Sequence, residues 1–276
     1  MKIADLFTVE GYAAIVTGGA SGLGLGFTEA LANNGARVTM LDVDAGSIDK
    51  EVKRLRAAGL DVSGKVVDVT NHQALDAAFD EIVRGYGRLD VVFANAGIDS
   101  GPGFLGGWAG AQRPRVEVGA LENYTDERWN RVIDINLNGV FATVRAAARH
   151  MKSRKSGRII ITTSLAASRI EAAIGSAYMA SKAACTHFMR CAALELAAYN
   201  ITVNAIAPGF FITNIGGGHA HDPKVQESIA KVVPLHRVGF PKDMQGLALF
   251  LASPASAYVT GQEVLIDGGL GLGAAD

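Results

Sequence analysis

The sequence predicts one α/β domain, a doubly wound parallel sheet of about seven strands with helices on both faces. Three observations carry this expectation. Near the N-terminus an apolar run opens directly into a glycine-rich turn and then a helical pattern. Short apolar runs and amphipathic stretches alternate along the chain at regular spacing, as βαβ units require. Finally, Val91-Val92-Phe93-Ala94 is apolar at every position, which suits a strand buried on both faces of a parallel sheet.

Size and composition fit that expectation. The chain has 276 residues, of which 49% are hydrophobic, ample for a core. No linker or internal repeat divides it, so residues 1–276 are expected to form a single domain. The 33 glycines, in excess of an average usage of roughly 7%, lie at turns rather than in a low-complexity block. The formal net charge of -1 gives no electrostatic case for nucleic acid or an anionic membrane as partner. No apolar run is long enough to span a bilayer. Residues 1–10 carry Lys2, Asp5 and Glu10 and lack the apolar centre of a signal peptide. Cys185 and Cys191 have neither zinc-ligand spacing nor a CxxC motif. Both are expected to be buried free thiols, in keeping with a reducing, cytoplasmic setting.

The first strand is expected over Tyr12–Thr17. It leads into Gly18-Gly19-Ala20-Ser21-Gly22-Leu23-Gly24, and a helix follows through Phe27, Ala30 and Leu31 to Asn33-Asn34-Gly35. Glycines let a phosphate approach the backbone, and a helix N-terminus offers free N–H groups and the positive end of its dipole. The second strand, Ala36–Leu41, ends at Asp42, about where a dinucleotide fold needs an acid for the ribose hydroxyls. A carboxylate there repels the additional phosphate of NADP. Neither Ala20 nor Ser21 is basic and Val43 is not arginine, so NAD is the expected cofactor. The alternative role for Asp42 is a helix cap.

A polar helix over Ser47–Ala58 leads to a third strand, Val62–Val67, and to Asp68-Val69-Thr70. Asp68 stands either at the adenine edge or beside a cap formed by Thr70 or Asn71. The helix Gln73–Tyr86 and the strand Val91–Ala94 follow, ending at Asn95-Ala96-Gly97. Residues 98–124 then break the rhythm. A loop this long in a compact domain is usually functional or disordered. It leaves the carboxyl end of a strand, the edge where ligands bind in open α/β sheets. Phe104 and Trp108 in it stand as an apolar pocket wall, as cover for a neighbouring subunit, or as packing for the loop itself.

Thr125 is placed to cap a helix over Asp126–Met151 in which Asn136 and Asn138 are unusual guests. A buried amide needs partners, so Asn136 either bonds the backbone or holds a water. A fifth strand, Gly157–Ser164, ends in a hydroxyl. The helix Ser176–Tyr199 then carries Tyr178 and Lys182 four residues apart, on one face. A phenol ordinarily titrates near 10, and an ammonium held close lowers that value. The pair is therefore a candidate general acid/base, although Tyr in a core with Lys in solvent is the commoner meaning of such a spacing. Strand six is expected over Ile201–Ala207, with Pro208-Gly209-Phe210-Phe211-Ile212-Thr213 at its carboxyl end. Residues 210–235 form an expected substrate lid containing three consecutive glycines, His219 and His221. Two histidines without a third ligand do not make a metal site, so no metal is expected. Pro241–Leu251 is a further helix, and Gly261–Gly269 holds a last strand and turn.

Taken together, these pieces resemble the short-chain dehydrogenase/reductase family over nearly the whole chain, from Tyr12 to Gly269. The resemblance rests on Thr17 to Gly24, Asp68-Val69, Asn95-Ala96-Gly97, Asn136, Ser164, Tyr178 to Lys182, Pro208-Gly209, Thr213 and Asp267-Gly268-Gly269. Each is weak alone, and the ordered set is specific. It implies a Rossmann-type fold and an NAD-dependent alcohol dehydrogenase or ketoreductase. It also implies roles for single residues. Gly18, Gly22 and Gly24 shape the pyrophosphate turn, with Ser21 and Leu23 touching the cofactor. Asp42 takes the adenosine ribose, Asp68 and Val69 flank the adenine, and Asn95, Ala96 and Gly97 lie along the cofactor. Pro208, Gly209, Phe211 and Thr213 belong to the segment at the nicotinamide end. Ser164 positions the substrate oxygen, Tyr178 moves the proton, Lys182 grips the nicotinamide ribose and lowers the Tyr178 pKa, and Asn136 anchors a relay water. Family members like this one are mostly homotetramers.

Two departures stand out. Ala94-Asn95 replaces a common asparagine pair, and the segment from Gly97 to Trp129 is longer than usual by roughly a dozen residues. Phe104, Trp108, Phe210 and Phe211 suggest a bulky apolar or aryl substrate, with polyol, steroid and acyl-thioester substrates as alternatives. A non-catalytic NAD-binding sensor has no need of the full set Asn136, Ser164, Tyr178 and Lys182.

Overall fold

In the computed structural model, residues 2–107 and 113–273 are described. Trp108, one of the expected pocket residues, lies outside them, as does the side chain of His219.

Seven strands form one sheet: β1 (Ala13–Thr17), β2 (Arg37–Asp42), β3 (Val62–Val66), β4 (Val91–Ala94), β5 (Gly157–Thr162), β6 (Ile201–Pro208) and β7 (Glu263–Ile266). Their order is β3-β2-β1-β4-β5-β6-β7, and every pairing is parallel. All carboxyl ends therefore share one edge. The direction of winding reverses between β1 and β4, the switch point at which open α/β sheets bind ligands.

Side chains alternate across the sheet with period two, and this divides the core. Ile15, Val92, Ile159 and Ile161 face one cluster; Ala14, Val16, Val91, Phe93 and Ile160 face the other. On the first face lie α3 (His72–Tyr86), α5 (Gly139–Arg154) and α6 (Ser176–Leu196). On the second lie α1 (Gly22–Ala32), α2 (Ala45–Ala57) and α8 (Gln245–Ala252). Phe27 stacks on Phe93 at 4.6 Å between centroids, locking α1 onto the centre of the sheet. A third, smaller cluster joins Leu165 and Leu270 to Ile229, Val233 and Val238, and α7 (Pro223–Ala230) seats the expected lid on it.

Two expectations need correction. The helix expected over Asp126–Met151 is α4 (Asp126–Ile133), one π-helical turn (Asp134–Asn138) and α5. A π-bulge inside an α-helix often marks a functional position, and here it carries Asn136. Of the two cysteines, Cys185 is buried but Cys191 is exposed. Six residues on an α-helix advance by about 600°, which turns the second thiol well away from the first.

Candidate active site

The glycine turn after β1 is shaped by backbone demands. Gly18 and Gly22 have φ of 62° and 52°, a region that only glycine visits at little cost. A Cβ on Gly24 would lie 1.9 Å from the Gly18 carbonyl oxygen, so the turn folds back onto the helix start. Ser21 is extended at the N-cap and its side chain caps nothing. The first-turn N–H groups thus face the strand edge without an intrahelical acceptor. Leu23 packs partly into the core, and Thr213 closes the mouth, 3.4 Å from where a Gly22 Cβ would stand.

Asp42 ends β2 beside the turn. Its Oδ2 accepts the Ala20 amide at 3.1 Å and its Oδ1 that of Asp44 at 3.2 Å. Helix α2 is capped instead by Asp44, which accepts from Ser47 N, so the cap role belongs to Asp44. Asp68 accepts from the Thr70 amide and hydroxyl, Val69 is buried, and Asn71 caps α3. Asn95 spans the switch point. Its Nδ2 donates to the Thr17 and Gly18 carbonyls, and its Oδ1 accepts from Thr162. The Ala96 amide donates to Thr17 Oγ1 at 3.2 Å. Gly209 N donates to Ile266 O at 3.0 Å, continuing the line of β6 after Pro208. Phe211, expected to meet the cofactor, packs most of its side chain into the core against Gly239.

Across the switch point the reactive side chains converge. A Cβ on Gly97 would lie 3.3 Å from Asn136 Oδ1 and 3.5 Å from Lys182 Nζ. Asn136, fully buried, accepts from Ile98 N at 2.8 Å and donates to Ile98 O at 2.9 Å and Ser181 Oγ at 3.3 Å. Its amide therefore bonds the Ile98 backbone and the Ser181 hydroxyl. Lys182 is buried and donates to the Thr162 carbonyl at 2.8 Å. Its Nζ sits 5.6 Å from the centroid of the Tyr178 ring.

Burial pushes the Tyr178 phenol up to about 12. The hydrogen bond with Ser164 pulls it down, and the Asp99 carboxylate adds to the rise. Burial also lowers Lys182. The expected lowering of Tyr178 by Lys182 is thus reversed in the chain by itself, because desolvation dominates and the ammonium bonds a carbonyl rather than the phenol. Ser164 is held in turn, its Oγ accepting the Ala166 amide at 3.1 Å.

Beyond Ser164 lies a pocket of about 100 Å³ lined by Leu165, Ala166, Ile174, Phe210, Val232 and Leu270, together with Arg169 and Glu171. That is several times the room one water needs. Phe210 lines it as expected, whereas Phe104 is 41% exposed and stands outside it. The long segment after Gly97 braces the pocket wall. Gly103 N and Leu105 N donate to the carbonyls of Ala173 and Ala172 at 2.9 and 3.1 Å, and Arg113 Nη2 pairs with Glu171 at 2.8 Å. Arg128 on α4 donates to the carbonyls of Ser100, Val118 and Pro102 at 2.6, 2.6 and 2.7 Å. His221 Nε2 contacts Asn214 Oδ1 at 3.0 Å. The sequence reading missed Asp99, Arg113, Arg128, Arg169 and Glu171. For Arg169 and Glu171 a signal existed: both lie between Ser164 and Tyr178, so they leave the ligand edge of the sheet.

Comparison with known proteins agrees with this geometry. A family profile described as Enoyl-(Acyl carrier protein) reductase matches residues 18–271. The sorbose reductase of Candida albicans is 31% identical over 269 residues, 97% of this chain and 90% of that protein. The 5-keto-D-gluconate 5-reductase of Escherichia coli K12 is 32% identical over 266 residues, 96% of this chain and 98% of that one. A solved gluconate 5-dehydrogenase from Burkholderia cenocepacia, in complex with NADP and tartrate, superposes with a TM-score of 0.85 at 31% identity, covering 98% of each chain. Among the described residues no helix is long and apolar enough to cross a membrane. With matches of this length on either side of the switch point, the chain belongs to the short-chain dehydrogenase/reductase family, nicotinamide-dependent oxidoreductases of alcohols and ketones.

Proposed function

We propose that the chain transfers a hydride between NAD and a secondary alcohol or ketone, with Ser164, Tyr178, Lys182 and Asn136 as its working residues. The observation that carries this reading is their convergence at the carboxyl edge beside Gly97, next to a glycine-rich turn that opens a helix. When bound, the nicotinamide supplies the hydride donor or acceptor and, oxidised, a fixed positive charge.

The chain's own residues orient the substrate and move the proton. With its pKa near 12, Tyr178 is protonated at neutral pH and donates its proton to a carbonyl oxygen during reduction; in the reverse direction the phenolate accepts it. Ser164 holds the same oxygen. Lys182, pinned by Thr162 O, places its amine near the Tyr178 ring. Asn136 fixes Ile98 and so the floor on which Gly97 meets the site.

NAD rather than NADP is supported by Asp42 at the end of β2 and by the non-basic residues Ser21 and Val43 around it. The apolar lining of the pocket supports a substrate with a bulky apolar body. Polyhydroxylated substrates are the second reading, favoured by the sorbose and ketogluconate activities of the relatives. The partly exposed aromatics Trp129 and Phe141 on α4 and α5 support a homotetramer, and the free thiols support a reducing, cytoplasmic setting.

The test is a screen of secondary alcohols and ketones against NAD and NADP, read by NADH or NADPH absorbance, with Tyr178→Phe alongside. The variant should lose about 10²- to 10⁴-fold in kcat, the usual contribution of a general acid, while binding NADH as the wild type does. Full turnover by Tyr178→Phe defeats the mechanism, and a preference for NADP defeats the assignment of cofactor.

A further inference from the structure

We propose that Arg169 is the anchor for a carboxylate on the substrate, so that the site takes oxo acids and hydroxy acids whose acid group lies remote from the reacting carbon. The inference rests on the oxidoreductase reading above and adds the charge of the substrate.

The argument starts from the number of N–H groups. A guanidinium presents five donors in a planar fork suited to a carboxylate. Arg169 is half-buried in the pocket wall, five residues after Ser164. One nitrogen, Nη1, donates to the Leu270 carbonyl. No carboxylate among the described residues pairs with it. The other pocket charges are already engaged. Glu171 Oε1 accepts both from Arg113 Nη2 at 2.8 Å and from the Ala173 amide at 3.2 Å. Arg113 further donates to the carbonyls of Gly106 and Gly107. Net of that ion pair, the pocket carries one positive charge.

That charge sits among Leu165, Phe210, Val232 and Leu270. A cation beside apolar groups is costly unless an anion completes it. A neutral ketone filling the pocket would strip water from the guanidinium and return nothing. An oxo acid would return a charge-assisted, bidentate bond. The orientation follows from the second charge. Asp99, on the loop after β4, lies close enough to Tyr178 to raise its pKa, and it accepts from the Ser100 amide at 2.7 Å. A substrate carboxylate is repelled from that end and drawn to the Arg169 end, which leaves the carbonyl at Ser164 and Tyr178. The wall that bears Arg169 is held in place, since residues 172 and 173 accept from Gly103 and Leu105 and Pro102 bridges Ile174.

The experiment uses two matched pairs with the NADH-loaded enzyme. In the first, 4-oxopentanoate is compared with its methyl ester. In the second, 5-keto-D-gluconate is compared with L-sorbose, which has the same skeleton and keto position and a hydroxymethyl group in place of the acid. The acid should exceed its neutral partner in kcat/KM by about tenfold or more, the scale of one charged hydrogen-bonded contact. Arg169→Met should abolish that advantage by raising KM for the acids well beyond any change it causes for the neutral partners, and Arg169→Lys should keep part of it. Equal kcat/KM for acid and neutral partner in the wild type overturns the proposal, as does an equal loss for both in Arg169→Met. The wild-type ratio decides the matter even if a variant fails to fold. Should no ketone be reduced at all, the oxidoreductase reading fails separately. Calorimetric titration of the NAD-loaded protein with 4-oxopentanoate and its ester then decides for Arg169: tighter binding of the acid, lost in Arg169→Met, supports it, and equal or absent binding overturns it.

Discussion

The two halves of the candidate site are built by different means. On the side of β1 and β4 the cradle is made of main chain. Gly24 is there because a Cβ would meet the Gly18 carbonyl, Gly18 and Gly22 because their φ is positive, and Asn95 ties three strands together through backbone carbonyls and Thr162. On the side of β5 and β6 the wall is held by long charged side chains. Arg128 and Arg113 each reach backbone carbonyls of the segment after Gly97, and Arg113 carries the tie across to Glu171. A ligand common to every member of a family can be met by a rigid backbone surface. A substrate that differs between members is met by a wall whose clamps can be exchanged one residue at a time without disturbing the sheet.

The largest expected effect lies in the cradle. Gly24→Ala places a methyl 1.9 Å from Gly18 O and 2.6 Å from Asn95 Nδ2. One contact is backbone and the other a tethered amide, so neither yields easily. We expect a loss of about 3 kcal/mol, at the upper end of ordinary overpacking, and NADH binding too weak to measure by fluorescence titration. A variant with wild-type stability and affinity would mean that the turn is not fixed by its main chain. The wall should respond differently. Arg128→Met removes three bonds to carbonyls and a stacking contact with Tyr124 at 4.0 Å. Hydrogen bonds to charged groups contribute about 1.5–3 kcal/mol, and the loss here falls on a local unit. The amides of Gly103 and Leu105 should exchange with solvent about tenfold faster or more, while NADH affinity stays unchanged. Unaltered exchange would show that the segment holds itself.

The same division explains what could be read in the sequence. The cradle was legible because its determinants are local: a strand, a turn with glycine at fixed offsets, a helix, and an acid at the next strand end. Tyr178 and Lys182 were legible as a pair because helical geometry alone puts them on one face. Their electrostatics were not. The direction of the Tyr178 shift depends on burial and on Asp99, which lies 79 residues away in the chain. The π-bulge at Asn136 was invisible because an α-helix with two unusual asparagines has the same apolar pattern. Arg169, Arg113 and Glu171 were overlooked because a charged residue in a loop ordinarily lies in solvent, and only the fold brings Arg169 and Glu171 to one pocket and Arg113 onto Glu171. Phe211 shows the converse: an aromatic beside motif residues that the structure spends on the core.

The smallest effect, and the finest test of the two halves acting together, is at Asp99. This residue leaves the cradle strand β4, yet it acts on Tyr178 across the switch point. Oxidation of an alcohol needs the phenolate, so its rate should climb with pH through neutrality toward a midpoint set by Tyr178. Reduction needs the phenol and should stay level over the same range. Asp99→Asn removes a negative charge that raises the Tyr178 pKa, so the rising limb of oxidation should move to lower pH while reduction at neutral pH is unchanged. Stability supplies an independent reading with a fixed sign. The folded chain keeps the phenolic proton up to about 12, whereas an ordinary phenol releases it near 10.0. Between those values the folded state binds more protons than the unfolded state, so stability falls as pH rises. Below that window the group contributes no slope. Asp99→Asn should narrow the window from above and make the alkaline fall shallower in urea unfolding of the cofactor-free chain. If neither the oxidation limb nor the alkaline slope moves, Asp99 does not reach Tyr178 and the two halves of the site are electrostatically independent.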